Sequence, residues 1–176
     1  GYKALNVMIL LAYMIPSALG ILPLIMAIQK FGMLGSYWPL MLVFGANAYY
    51  YLLFKNYFEK LPSSLIEASR MDGLGSLKIF FKVVLPLARP IIGVVAIFAM
   101  TAAYSDYLLP YLVLGQSSDS SSWTLMVAIY NFSSDTEVKA NQLLQLLVLS
   151  IIPQILIFMI FQKQIMNQGV NTGNKE

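Results

Sequence analysis

Side chains able to carry charge or make directed hydrogen bonds are sparse in this sequence, and they fall into two groups. The first lies in residues 61–86, LPSSLIEASRMDGLGSLKIFFKVVLP, where Glu67, Arg70, Asp72, Lys78 and Lys82 interrupt apolar residues at short intervals, with Arg89 just beyond. Carboxylates and cations alternating with Leu65, Ile66, Ala68 and Met71 make a helix with one apolar side and charged flanks. The second group is Asn47, Tyr51, Tyr104, Asp106 and Tyr107, an amide, three phenols and a carboxylate set inside long apolar runs. Such groups either hydrogen-bond one helix to another or line a wet path for a polar solute. The chain has no Cys and no His, which removes thiol nucleophiles, disulfides and the commonest metal ligands. No catalytic residue and no metal site is expected, and no Gly-x-x-x-x-Gly-Lys-Ser/Thr loop is present to hold a nucleotide.

The elements that must position these groups follow from composition. The chain is 59% hydrophobic and 11% charged, with a mean hydropathy of +0.71, whereas soluble domains carry about 25% charged residues. An all-α integral membrane protein is expected: a polytopic helical bundle forming one domain over 1–176, with about four spans. These cover about 4–28, 37–54, 90–112 and 142–162, with a cytoplasmic loop at 55–89 and an external loop at 113–141. At 1.5 Å per residue the first, of ~25 residues, reaches ~37 Å, enough to cross a ~30 Å hydrocarbon core with tilt. Pro16 and Pro23 should kink it, either as simple bends or as a hinge. Tyr37 and Trp38 suit a membrane interface. Asp106 is the one acid within an expected span; with Pro110 close by, it is either a polar group of a path or a carboxylate at a helix end. Residues 123–130 are apolar but too short to span, and are expected as a helix at the outer surface or dipping inward.

Charge placement sets the orientation. With 55–89 in the cytoplasm, four spans also place Lys3, Lys163 and Lys175 there, so nine of the eleven basic residues lie inside. Lys30 and Lys139 remain outside, and the reverse arrangement violates the positive-inside rule. A charged segment cannot lie in hydrocarbon, where each central charge costs roughly 3 kcal/mol, so 61–86 sits at the cytoplasmic surface.

Local signals divide that segment into two short helices. Pro62 closes the preceding run, and Ser64 with Glu67 has the spacing of a capping box. Gly73 and Gly75 break the pattern where a left-handed turn costs glycine little. Ile79, Phe80, Val83 and Val84 give the second helix an apolar side, and Pro86 and Pro90 precede the next span.

With those residues in place, a resemblance can be named. Glu67-Ala68-Ser69, then Gly73, Val83 and Leu85-Pro86 resemble the EAA loop of ABC importer permeases: Glu-Ala-Ala, three residues, Gly, nine residues, Ile, one residue, Leu-Pro. Ser69 stands for the third-position Ala and Val83 for Ile. Leu61-Pro62, Arg70-Met71-Asp72-Gly73, Leu85-Pro86-Leu87-Ala88-Arg89-Pro90, Thr124-Leu125 and Gln168-Gly169-Val170-Asn171-Thr172-Gly173 extend the likeness across the chain to the carbohydrate branch, of the maltose-type second permease kind. Tyr104-Ser105-Asp106-Tyr107-Leu108-Leu109-Pro110 resembles that branch's Trp-Asn-Asp-Phe-Leu-Trp-Pro, with Tyr104 and Ser105 where Trp and Asn are usual.

The resemblance implies a type I ABC importer permease in the bacterial cytoplasmic membrane, not itself an enzyme. ATP and Mg would be bound by partner ATPase subunits, docked on the coupling helix through Leu65, Ile66, Glu67, Ala68, Ser69, Met71, Asp72, Gly73, Leu74, Leu85 and Pro86. The other implied partners are a second permease subunit, an extracytoplasmic solute-binding protein, a sugar substrate and the bilayer, with no nucleic acid. Asn47, Tyr51, Tyr104, Asp106 and Tyr107 become candidates for the translocation path. Permeases of this kind usually carry about two more spans before the point where this sequence begins. A polyol or glycerol phosphate as solute, or an ATP-independent channel or scaffold, are the alternatives.

Overall fold

The computed structural model describes residues 1–115, 120–135 and 138–170, with side chains described through residue 162. The expected loop residues 116–119 and 136–137, the side chains from Lys163 onward and the tail from 171 lie outside the described residues. Every regular element among the described residues is helical: α1 (Tyr2–Met14), α2 (Ser17–Lys30), α3 (Trp38–Gly45), α4 (Ala48–Phe58), α5 (Ser63–Met71), α6 (Ser76–Ile79), a π-helical segment (Phe80–Val84), α7 (Leu85–Leu87), α8 (Arg89–Ser105), α9 (Leu108–Leu114), a short 3₁₀ turn (Ser120–Ser122), α10 (Leu125–Ser133) and α11 (Ala140–Val170). The chain divides into two compact units, Gly1–Ala48 with Ala99–Leu156, and Tyr49–Phe98 with the part from Ile157 onward.

The first unit is built on α9, against which α2, α3 and α10 pack. Ile28, Leu40, Leu109, Val113 and Leu114 form its core, supported by Leu24, Ile25, Leu34, Val43 and Phe44. Gly32, at φ 66°, stops α2: its N–H bonds the Gln29 carbonyl and the Met33 N–H reaches back to the Ile28 carbonyl, the paired bonds of a Schellman cap. The Gly35 N–H then donates to the Val113 carbonyl at 2.8 Å, tying this loop to α9. The short apolar helix expected at 123–130 is α10; Thr124 caps it by accepting the Val127 N–H at 3.4 Å, and Val127 and Ile129 are buried.

The expected spans fare differently. Ala140–Gln162, 23 residues with Pro153 inside, is long and apolar enough to cross a membrane by itself. The first expected span is two helices bent by 99°. Ile15 sits at φ −75°, ψ 123° and Pro16 at φ −57°, ψ 125°, because the residue before a proline is pushed out of the helical region. Pro23, inside α2, makes no such break. Within the third expected span the helix is broken: α8 closes at Ser105, and Leu108–Leu114 is a separate helix whose Leu109, Val113 and Leu114 join the core. Ser76–Leu87 and Arg89–Ser105 form a second bent pair, at 69°, so the described residues hold one to three crossings by length and composition. The expected span at 37–54 is absent from that count: α3 and α4 are short helices parted at Ala46 and Asn47.

Candidate functional site

The candidate site is the charged segment of the second unit, from Pro62 to the α7–α8 bend. Pro62, at φ −61° and ψ 127°, is the residue from which α5 starts, and no side chain caps that end. The capping box expected from Ser64 and Glu67 is therefore not formed: the helix begins at Ser63, which puts Ser64 inside the first turn instead of ahead of it. At the other end Gly73 behaves as expected. It adopts φ 77°; its N–H bonds the Arg70 carbonyl at 3.0 Å, and the Leu74 N–H bonds the Ser69 carbonyl at 3.1 Å. This is the same Schellman stop that ends α2. Gly75 does not share the left-handed geometry expected of it; it is extended, at φ −72° and ψ 160°, and leads into α6.

The cap fixes which side of α5 faces in. Ser69 is 7% exposed, and its hydroxyl donates to the Leu65 carbonyl at 2.7 Å, so a polar atom at the buried position is satisfied within the helix. Ile66, one turn earlier, and Leu74 are half-buried with it, as α5 packs on α6 and the π segment. Leu65, Ala68 and Met71 are exposed, Met71 at 88%. The apolar face expected as one surface is thus split: Ile66 and Leu74 turn inward while Leu65, Ala68 and Met71 face out. Glu67, Arg70 and Asp72 are exposed around them, and Leu77 (76%) and Phe81 (61%) are exposed further along. Exposed apolar side chains thus stand beside exposed charged ones on this segment.

Leu85 and Pro86 begin α7, after a π-helical stretch in which the Leu85 N–H bonds the Phe80 carbonyl. Proline has no N–H to give and crowds the carbonyl one turn back; one wider turn relieves both problems. Ala88, fully buried, marks the bend, and Ile91, Val94, Val95 and Ile97 bury the following turns of α8. A contact that sequence reasoning missed lies here: the Tyr57 hydroxyl, at the end of α4, donates to the Leu87 carbonyl. Nothing in the local pattern around Tyr57 signals a partner 30 residues away.

The candidate path residues fall on several elements. Asn47 sits exposed at the α3–α4 break, and Tyr51 is half-buried in α4. Tyr104 donates to the Ser150 carbonyl of α11 at 2.6 Å, and Gln154 of α11 donates to the Ser105 hydroxyl at 2.7 Å. These two positions, where the resembling motif departs from its usual Trp and Asn, join helix to helix; Ser150 and Gln154 were not foreseen. The Asp106 carboxylate accepts the Leu108 N–H at 2.9 Å in the gap between α8 and α9, so of its two expected roles it occupies the helix-end position. Tyr107 stacks on Tyr130 with ring centres 5.0 Å apart. Among the described residues no group of three or more acidic, His or Cys side chains is placed to hold a metal.

Comparison with known proteins decides the family. The profile described as "Binding-protein-dependent transport system inner membrane component" matches residues 1–167. The chain belongs to this family. As an inner-membrane component it is a membrane protein, and the relatives of this family member are transport permeases and not enzymes. It is 36% identical over 110 residues, 62% of its own length and 37% of the relative's, to the polygalacturonan/rhamnogalacturonan transport system permease protein YtcP of Bacillus subtilis. It is 31% identical over 169 residues, 94% of its length and 55% of the relative's, to the diacetylchitobiose uptake system permease protein NgcG of Streptomyces coelicolor. It is 32% identical over 158 residues, 89% of its length and 55% of the relative's, to the sn-glycerol-3-phosphate transport system permease protein UgpE of Yersinia enterocolitica. Among solved structures, a chain of a bacterial ABC transporter that imports the acidic polysaccharide alginate superposes with a TM-score of 0.77 at 26% identity, covering 93% of this chain and 61% of that one. The inner-membrane component described here thus spans about half the length of the curated relatives it matches, and its helical fold is that of an ABC importer permease.

Proposed function

We propose that this chain is the membrane-spanning part of a permease subunit in an ATP-driven importer, moving a sugar or oligosaccharide delivered by a solute-binding protein across the bacterial cytoplasmic membrane. The observation that carries the reading is α5, Ser63–Met71: stopped by the Gly73 turn and anchored through Ser69, it leaves Leu65, Ala68 and Met71 exposed beside Glu67, Arg70 and Asp72. Such a surface suits an ATPase subunit, and a rigidly capped helix suits the transmission of its closure. Leu85 and Pro86 lie at the far end of the charged segment 61–86, which acts in this reading as a lever. The four spans expected from the sequence put the charged segment on the cytoplasmic side with nine of the eleven basic residues. A second permease subunit completes the path, for which Asn47, Tyr51, Tyr104 and Tyr107 are the candidate residues of this chain. Alternating access then needs two packed states of these helices, one of which the closed ATPase pair prefers.

The chain's lack of cysteine makes the test direct. A single cysteine at Met71 in the purified, transporting complex is expected to crosslink to an ATPase subunit, and mass spectrometry of the complex is expected to find a bound saccharide. An active complex whose Met71 position never reaches an ATPase would overturn the reading. A second solute class, glycerol phosphate, is favoured by the likeness to UgpE; a copurifying binding protein loaded with a phosphodiol instead of a saccharide would select it.

A further inference from the structure

The segment between α4 and α8 lies within the second unit, and its two ends meet at a side-chain bond. Tyr57 lies in the last turn of α4, half-buried, with its ring edge-on to Phe58 at 6.0 Å. Its hydroxyl donates to the carbonyl of Leu87, the last residue of α7. Carbonyls at a helix C-terminus lack donors within their own helix. This one stands beside the 69° bend at Ala88, flanked by Pro86 and Pro90, neither of which has an N–H to offer. Without an outside donor, the bend between lever and α8 is a place where two helices can swing about one turn residue. With it, residues 57–87 form a closed loop, and α4, the lever and the start of α8 are tied at one point.

We infer that Tyr57 is a positioning residue: its hydroxyl pins the α7–α8 bend, so that a push on α5 moves α8 and does not flex Ala88. The inference rests on the proposed coupling role of α5 and adds to it the element that carries the movement out of the lever. It acts through the Leu87 carbonyl and touches neither solute nor nucleotide.

The test uses Tyr57→Phe, which keeps the ring and removes the donor, in the complete complex reconstituted in vesicles. The net worth of one neutral hydrogen bond corresponds to about fivefold in an equilibrium. Solute moved per ATP hydrolysed is therefore expected to fall by about that factor, while the amount of assembled complex and the Met71 crosslink to the ATPase stay unchanged. Paired spin labels at Met71 and Ile92, both exposed, are expected to give one narrow distance in the parent and a broadened one in Tyr57→Phe. An unchanged transport-to-hydrolysis ratio with an unchanged distance distribution, in a complex that still crosslinks, overturns the inference alone; loss of the crosslink in the active parent overturns the coupling role beneath it. If Tyr57→Phe does not assemble, difluorotyrosine at position 57 takes its place, since its phenol gives up the donor proton near neutral pH. Coupling that falls with rising pH more than in the parent supports the inference, and parallel profiles overturn it.

Discussion

Replacing Gly73 tests whether the shape of the lever, and not merely its composition, carries the function. Gly73 sits at φ 77°, and a Cβ built on it meets nothing within 4 Å. Any cost of Gly73→Ala is therefore conformational: holding a side-chain-bearing residue in the left-handed region costs about 1–2 kcal/mol, or roughly 5- to 30-fold in the population of the correctly stopped helix. Gly73→Asn, which tolerates that region better, should cost less. Gly73→Pro should cost most, since it locks φ near −65° and deletes the N–H that bonds the Arg70 carbonyl at 3.0 Å. The penalty falls on an exposed turn, so insertion and the core around α9 should survive all three. In the reconstituted complex, solute transported per ATP hydrolysed and the Met71 crosslink yield should decline in the order Gly, Asn, Ala, Pro. If Ala and Pro transport at the parent ratio with full crosslinking, or if Pro is milder than Ala, then the left-handed stop does not set the docking geometry.

Three further outcomes test other parts of the structure. Met71→Asp should weaken retention of the ATPase during purification by the worth of one buried methionine, about 1.5–3 kcal/mol, because the side chain is 88% exposed in this chain alone; equal copurification would remove Met71 from the contact. Asp106→Asn keeps an acceptor for the Leu108 N–H whereas Asp106→Ala does not. A helix-end role predicts near-parent uptake for Asn and about 1 kcal/mol lost thermal stability for Ala, while a charge required in the path predicts equal loss of uptake for both. At Gly115 an added Cβ would stand 2.4 Å from the Tyr111 carbonyl oxygen and 2.9 Å from its ring, so Gly115→Ala should force the end of α9 to shift and destabilise the first unit by about 1–3 kcal/mol, seen as a lowered Tm of the detergent-solubilised protein.

Signals that act over a few residues were legible in the sequence. Gly73 was expected in a left-handed turn and is there, because the choice depends only on the absence of a Cβ. The α11 crossing was expected at 142–162 and the helix covers it, because a long apolar run needs no partner to be recognised. The EAA spacing led to the family, since its residues recur at fixed separation whatever surrounds them. Other features depended on what comes near in space. A proline pattern cannot distinguish a kink from a 99° turn, and Pro16 and Pro23, alike on paper, broke one helix and left the other intact. Asn47 was expected within one helix and lies between two short ones, and residues 108–112 were expected to continue the helix of α8 but belong to a separate helix, Leu108–Leu114. The Ser64 cap failed because Pro62 already supplied the extended residue that starts α5. The Tyr104–Ser150 and Tyr57–Leu87 bonds join residues 46 and 30 positions apart. A carbonyl offers the same acceptor at every residue, so nothing in the sequence marks which one a distant hydroxyl will reach; packing alone brings donor and acceptor together.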